Sequence, residues 1–284
     1  MSGGPPLAVI AWPFEHGSPD VGMGAGATLL AQDAALHEAL RAAGWAPTVQ
    51  RILAADPMAG EVARIFDLLR AQEAAVREAI DRGAFPLVLA GGCISATGTV
   101  AGSGAEGAVW LDAHADFDTP EENLSGSMDV MALSLLCGRA WPALHATIPH
   151  AVALREEDVA LLGVRDLVPY QHDALRASAL RTVRGDFAWP ATVDAIGALP
   201  ARLYLHVDLD VLDPSAGTAN RFAAPGGPTL ETVLATIDAT FDHATVVAAA
   251  LTAYEPPCDE DDKILAAARA IAAHVARRAR AQRP

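Results

Sequence analysis

Two short runs of the 284-residue chain place acids and histidines at alternate positions behind an apolar stretch. In residues 110–120 these are Asp112, His114 and Asp116; in residues 203–214 they are His206, Asp208 and Asp210. An extended chain sends every second side chain to the same side, so each trio points one way. Oxygens joined by an imidazole, converging at a strand end, make a donor set for a divalent metal such as manganese. Carboxylates gathered there without a cation would repel, at a cost on the order of several kcal/mol, and a cation is the simplest remedy. A lone D-x-D could equally be a loop cap, but two such runs behind two apolar strands point to a metal site. His206 lies one pleat deeper than Asp208, a position that suits a core histidine or one that supports a ligand.

The elements that must hold these residues follow from hydrophobic period. Short aliphatic runs predict strands over residues 7–12, 48–52, 86–90, 108–111, 159–163, 180–183, 203–208 and 246–251. Stretches of helical period predict helices over 28–43, 60–82, 127–136, 230–241 and 261–280. This alternation is that of a parallel sheet with crossover helices, and no linker divides it, so residues 1–284 are expected to form one α/β domain. Ligands of such sheets bind beyond the carboxyl ends of the strands, where both runs lie.

Composition narrows the class. With 52% hydrophobic residues the chain is not a disordered one. Twenty Lys and Arg against 35 Asp and Glu give a net charge of −15, which argues against a nucleic-acid partner. No stretch reads as a signal peptide, and the charge-free residues 83–105 are too broken by glycine to suggest a membrane span. Cys93, Cys137 and Cys258 have no CxxC spacing, which fits a reducing cytoplasm without disulfides.

The motifs together resemble the ureohydrolase superfamily of arginase, agmatinase and formimidoylglutamase. Asp112-Ala-His114-Ala-Asp116 with Pro120, followed by Ser125-Gly126, is similar to its DAHxDxxxP and serine-glycine elements, and Asp208-Leu-Asp210 with Asp213-Pro214 to its DxDxxDP. Residues 13–26, 91–98, 163–166 and 254–257 resemble its glycine-rich loop, GGDHS-type turn, G-x-R-D strand end and acidic-proline segment. The resemblance implies a three-layer α/β/α sandwich around a mostly parallel eight-stranded sheet. It also implies two Mn2+ per chain bridged by hydroxide, a small-molecule substrate, and trimers or hexamers of a cytoplasmic protein. Carried over by position, Asp112 and Asp208 would bridge the metals, His114 and Asp210 would complete one site, and Asp116 would belong to the other.

The chain departs from the family pattern at four places. Cys93 stands where the turn carries a histidine ligand, and Gly92 where it carries an aspartate. A thiolate favours Zn2+ or Fe2+ over Mn2+ if Cys93 is a ligand; otherwise it is a buried, inert thiol. Asp129 stands where arginase-type sequences have a proton-shuttling histidine, and is either an acid with a raised pKa or a helix cap. Ala253 takes the place of the glutamate that clamps a guanidinium, and Glu255, two residues on, is a candidate substitute. Val168 replaces the acid that senses an α-amino acid, which disfavours L-arginine. His16, Asp118, Asn123 and Ser125 are candidates for binding substrate at the mouth.

The reading that follows is a metal-dependent hydrolase of non-peptide C–N bonds in linear amidines or guanidines, such as a hydroxyguanidino compound. Its catalytic residues would be Asp116, Asp129 and Glu255, and its ligands Cys93, Asp112, His114, Asp116, Asp208 and Asp210. Loss of one metal would leave a mononuclear amide deacylase, and loss of both shuttle and clamp a non-catalytic metal-binding protein.

Overall fold

The computed structural model describes residues 4–54, 56 and 58–283. Eight strands form one parallel sheet: β1 (Pro6–Trp12), β2 (Ala46–Arg51), β3 (Phe85–Ala90), β4 (Gly107–Leu111), β5 (Val159–Val164), β6 (Arg181–Arg184), β7 (Arg202–Asp208) and β8 (Thr245–Thr252). Their order across the sheet is β2-β1-β3-β8-β7-β4-β5-β6. Every expected strand is present, within two residues of its expected ends. The central strands are buried along nearly their whole length, as the unbroken apolar runs require in a sheet covered on both faces.

Alternate residues feed two cores. Leu7, Val9, Leu87, Leu89, Val109, Leu111, Leu205 and Val207 pack with helices α1 (Met23–Gln32), α2 (Ala34–Ala42), α8 (Leu230–His243) and α9 (Lys263–Ala281). Ala8, Ile10, Val88, Trp110, Tyr204 and Ala250 pack instead with α3 (Glu61–Asp81), α4 (Ala96–Ser103) and α5 (Ala132–Leu136). Two further helices, α6 (Pro169–Ala177) and α7 (Trp189–Gly197), connect β5 to β6 and β6 to β7. The result is the α/β/α sandwich.

Two expectations about helices need correction. The single helix expected over 28–43 is two, because Asp33 leaves helical geometry, accepts a hydrogen bond from Leu36 N at 2.6 Å and pairs with Arg269. The helix expected over 127–136 is a single 3-10 turn, Asp129–Met131, running into α5. Helix α4 was legible only as a helix start within the glycine-broken residues 83–105, since its Ala-Thr-Gly-Thr composition is poor for helix. Its glycines instead allow close packing on α3: a Cβ at Gly98 or Gly102 would meet the carbonyl of Leu69 at 2.7 Å or of Glu73 at 2.6 Å.

The chain order jumps at the middle of the sheet, between β3 and β8 and between β7 and β4, and connections leave a crevice there. Cys93 follows β3, Thr252 ends β8, Asp208 ends β7 and Asp112 follows β4. Four adjacent strands therefore deliver their C-terminal residues to one place.

Candidate active site

Asp112, Asp116, Asp208 and Asp210 are all buried, and so is Cys93. Asp112 and Asp210 both face His114, whose Nδ1 lies 3.4 Å from Asp112 Oδ1 and 3.3 Å from Asp210 Oδ2. On the other side, Cys93 Sγ lies 3.0 Å from Asp208 Oδ2, 3.2 Å from Thr252 Oγ1 and 3.3 Å from His206 Nε2. Among the described residues, two groups of donors meet the spacing of a metal site: Asp112, His114 and Asp210 in one, Cys93, Asp112 and His206 in the other. Asp112 is common to both.

The local backbone aims these side chains. Trp110 Nε1 donates to Asp112 Oδ2 at 3.0 Å and His114 N to Asp112 Oδ1 at 2.7 Å. Asp210 N donates to Asp208 Oδ1 at 2.8 Å, and Asn220 Nδ2 donates to Asp210 Oδ2 at 3.0 Å. Asp116 adopts φ +49°, a left-handed conformation that turns its carboxylate into the cluster. Its Oδ2 is buried without a hydrogen-bond partner. Asp213 holds the following loop by accepting from the backbone N–H groups of Ser215, Gly226 and Gly227; the Ser215 side chain, with these N–H groups, keeps its carboxyl well below the usual range.

Electrostatics says what the cluster lacks. Burial, followed by the charges of its neighbours, pushes Asp116 and Asp208 well above the ordinary carboxylate range and raises Asp112. Burial alone would depress His114, but Asp210 and Asp112 outweigh it and push the imidazole up to about 12. Four buried carboxylates thus share one cationic imidazole, and one oxygen goes unbonded. That donor set, with its orphaned Asp116 Oδ2, fits a divalent cation.

Above the cluster lies a cavity of about 150 Å³, with His16, Ser125, Ser127, Asp129, Phe222 and Ala253 in its wall. Not all the expected mouth residues reach it. Asp118 is buried outside the lining, accepting from Tyr170 Oη and Gln171 Nε2 at 2.8 Å each, so it anchors the start of α6. Asn123 shapes the loop instead: its Oδ1 accepts from Ser125 N, Ser125 Oγ and Gly126 N. Glu255 is held by Arg221 through both the guanidinium and the backbone N–H, and Arg221 also binds Glu15. Sequence spacing alone could not reveal that Arg221 takes up Glu255.

Asp129 does not cap its own helix. Its Oδ1 accepts from Ile94 N at 3.1 Å, and its carboxylate fills the space beside Gly92, where a Cβ would meet Oδ1 at 2.5 Å and Oδ2 at 2.6 Å. Burial raises its pKa to about 6, against the lowering effect of the Ile94 N–H. Asp129 thus occupies the space that a side chain at residue 92 would take. Gly92→Asp is expected to destabilise the protein by about 1 to 3 kcal/mol, because two carboxylates would compete for one space. Adding Asp129→Ala should recover more than half of that loss in urea denaturation, the coupling expected of residues in contact.

The arginase family model matches residues 6–278. The chain belongs to the arginase family. It is 30% identical to the arginase of Bacillus caldovelox over 210 residues, 70% of each chain. Over 120 residues it is 32% identical to the N(omega)-hydroxy-L-arginine amidinohydrolase of Streptomyces lavendulae, covering 42% of this chain and 41% of that one. The solved arginase of Bacillus subtilis superposes with a TM-score of 0.84 at 22% identity, over 95% of this chain and 98% of its own. An agmatinase-like structure from Clostridium difficile has the same fold at a TM-score of 0.74 and 13% identity, over 98% of both chains. No helix among the described residues is long and apolar enough to cross a membrane.

Proposed function

We propose that this member of the arginase family hydrolyses the C–N bond of a linear guanidino or amidino compound other than L-arginine. The observation that carries this reading is the pair of donor groups joined by Asp112 at the floor of a cavity small enough to hold such a group. Cys93, Asp112, His114, Asp116, Asp208 and Asp210 would hold two divalent cations, Mn2+ or, at the thiol, Zn2+ or Fe2+. Bound cations would supply a water acidified to near-neutral pKa and a positive charge beside the substrate.

The protein's own residues then divide the remaining work. Asp116, with its unpartnered Oδ2 among the donors, would help hold the tetrahedral intermediate. Asp129 holds a proton at about pH 6, close to the working range, and delivers it from its carboxyl to the departing nitrogen. Ser125, Ser127 and His16 offer hydrogen bonds along the wall. Three features argue against L-arginine: Ala253 offers no carboxylate to a guanidinium, Glu255 is occupied by Arg221, and half-exposed Val168 offers nothing to an α-amino group. Phe222 contributes an apolar edge to the mouth.

The test is a panel of guanidino, hydroxyguanidino, formimino and acylamino compounds incubated with metal-loaded protein. Release of urea, ammonia or amine from a guanidino or amidino member, at least about 10-fold faster than from L-arginine, is the expected outcome. Release confined to acylamino compounds would indicate a deacylase. Silence across the panel at full metal occupancy would leave a metal-binding protein without this activity.

A further inference from the structure

We propose that His206, which sequence spacing reads as a core histidine or one that supports a ligand, is itself a metal ligand and closes the half of the centre that contains Cys93. The inference rests on the reading that the buried cluster binds metal, and adds to it a donor from β7. His206 is completely buried, and its ring stacks on that of Trp110 with centroids 3.7 Å apart and planes 10° from parallel. Stacking fixes the plane of the imidazole. Tyr204 Oη, 2.8 Å from Nδ1, then fixes its rotation, so that Nε2 faces the cluster.

There Nε2 meets Cys93 Sγ and Thr252 Oγ1, each at 3.3 Å, and Cys93 and Thr252 both reach Asp208 Oδ2, at 3.0 and 3.4 Å. The donor atoms of Cys93, Asp112 and His206 all lie within 4.8 Å of one another. A ring nitrogen aimed at a ligand while the other is tied to an outer polar group is the usual disposition of a metal-binding histidine. A second observation points to a cation in the same cluster: Asp116 Oδ2 is buried and unpartnered.

The position makes chemical sense of Cys93. The turn after β3 lacks the imidazole of the family motif, and His206 brings one to the same thiol from the neighbouring side of the sheet. The two halves then differ in character. Asp112, His114 and Asp210 offer oxygen and one nitrogen, whereas Cys93 and His206 add sulfur and nitrogen, a set suited to Zn2+ or Co2+.

The decisive measurement uses the full chain labelled with 15N at its nine histidines and loaded with Zn2+, with metal per chain counted in parallel. Imidazole nitrogens of His206 and His114 are both expected to move into the metal-bound range, and His114→Asn should remove one signal and leave the other. His206→Asn is expected to remove that other signal and, in Co2+-loaded protein, to weaken the thiolate-to-cobalt absorption at least 10-fold. The assignment stands on wild type and His114→Asn even if His206→Asn does not fold. A shifted signal from His114 alone, at two metals per chain, would overturn the role of His206 and leave the two-metal reading intact. One metal per chain with a shifted His206 nitrogen would do the reverse, and no bound metal would remove both.

Discussion

Asp112→Asn is expected to lower metal content from about two per chain to well under one and turnover by roughly 10³-fold or more. Asp112 is the one residue that belongs to both donor groups, so its loss affects both halves at once. Removing its charge takes away several kcal/mol of cation stabilisation, and about 4 kcal/mol corresponds to a factor of roughly 10³ in rate. The substitution need not disturb the fold. Asparagine can retain one of the two hydrogen bonds that Trp110 Nε1 and His114 N make to this side chain. In metal-free protein it also removes one negative charge from a self-repelling cluster, so the chelated variant should melt no lower than chelated wild type. Addition of Mn2+ or Zn2+ should raise the melting temperature of wild type and leave the variant nearly unchanged. If the variant kept two metals and full turnover, Asp112 would be a structural acceptor and the shared-ligand reading would fail. As a control, Asp166→Asn, exposed and 3.7 Å from His114 Nε2, should change turnover less than about 10-fold.

How far these residues could be read without coordinates depends on the kind of signal each left. The strands were legible because a parallel sheet buried on both faces demands apolar runs such as Leu87–Val88–Leu89 with turns after them. Asp112, His114, Asp208 and Asp210 were legible because period-two spacing behind those runs fixes both place and direction. Helix α6 was not, since only Leu175 is buried and no apolar stripe results. Helix α4 was legible only as a start without bounds, because contact with α3, rather than intrinsic propensity, makes it a helix. The break at Asp33 depends on Arg269, 236 residues along the chain. Contacts of this reach also separate the site from its sequence reading: Cys93 meets His206 across 113 residues, and Arg221 takes up Glu255 across 34. The paired change of Gly92 and Asp129 left a readable trace, because both positions depart from the motif, but only their proximity explains why.

The second large effect concerns pH and metal together. In metal-free protein the folded pKa values of His114, Asp116 and Asp208 lie above their ordinary values. The folded state then holds more protons than the unfolded chain, so stability falls as pH rises through that window. For His114, raised from 6.5 to about 12, the loss begins near pH 6.5 and continues through the alkaline range. At about 1.4 kcal/mol per pH unit for a fully retained proton, His114 alone removes roughly 2 to 3 kcal/mol between pH 7 and 9. The aspartates act in the same direction over whatever part of that range they remain protonated. His206 acts oppositely at the acid end: burial lowers it to about 3, so stability is lost as pH falls from 6.5 through that value. Asp129, raised to about 6, gives a loss with rising pH between about 4 and 6, which partly cancels the His206 slope there. Metal-free protein should therefore lose stability steadily as pH rises above about 6, and melt about 5 to 10 °C lower at pH 9 than at pH 7. Metal reverses the trend, since cations compete with protons for these carboxylates and bind better as pH rises. Thermal melts in chelator and in excess metal, at pH 5, 6, 7, 8 and 9, should show curves that diverge above pH 7. A chelated protein with a flat melting temperature from pH 7 to 9 would mean that no excess proton is held, and the cluster would then not be the site of uncompensated charge that calls for a cation.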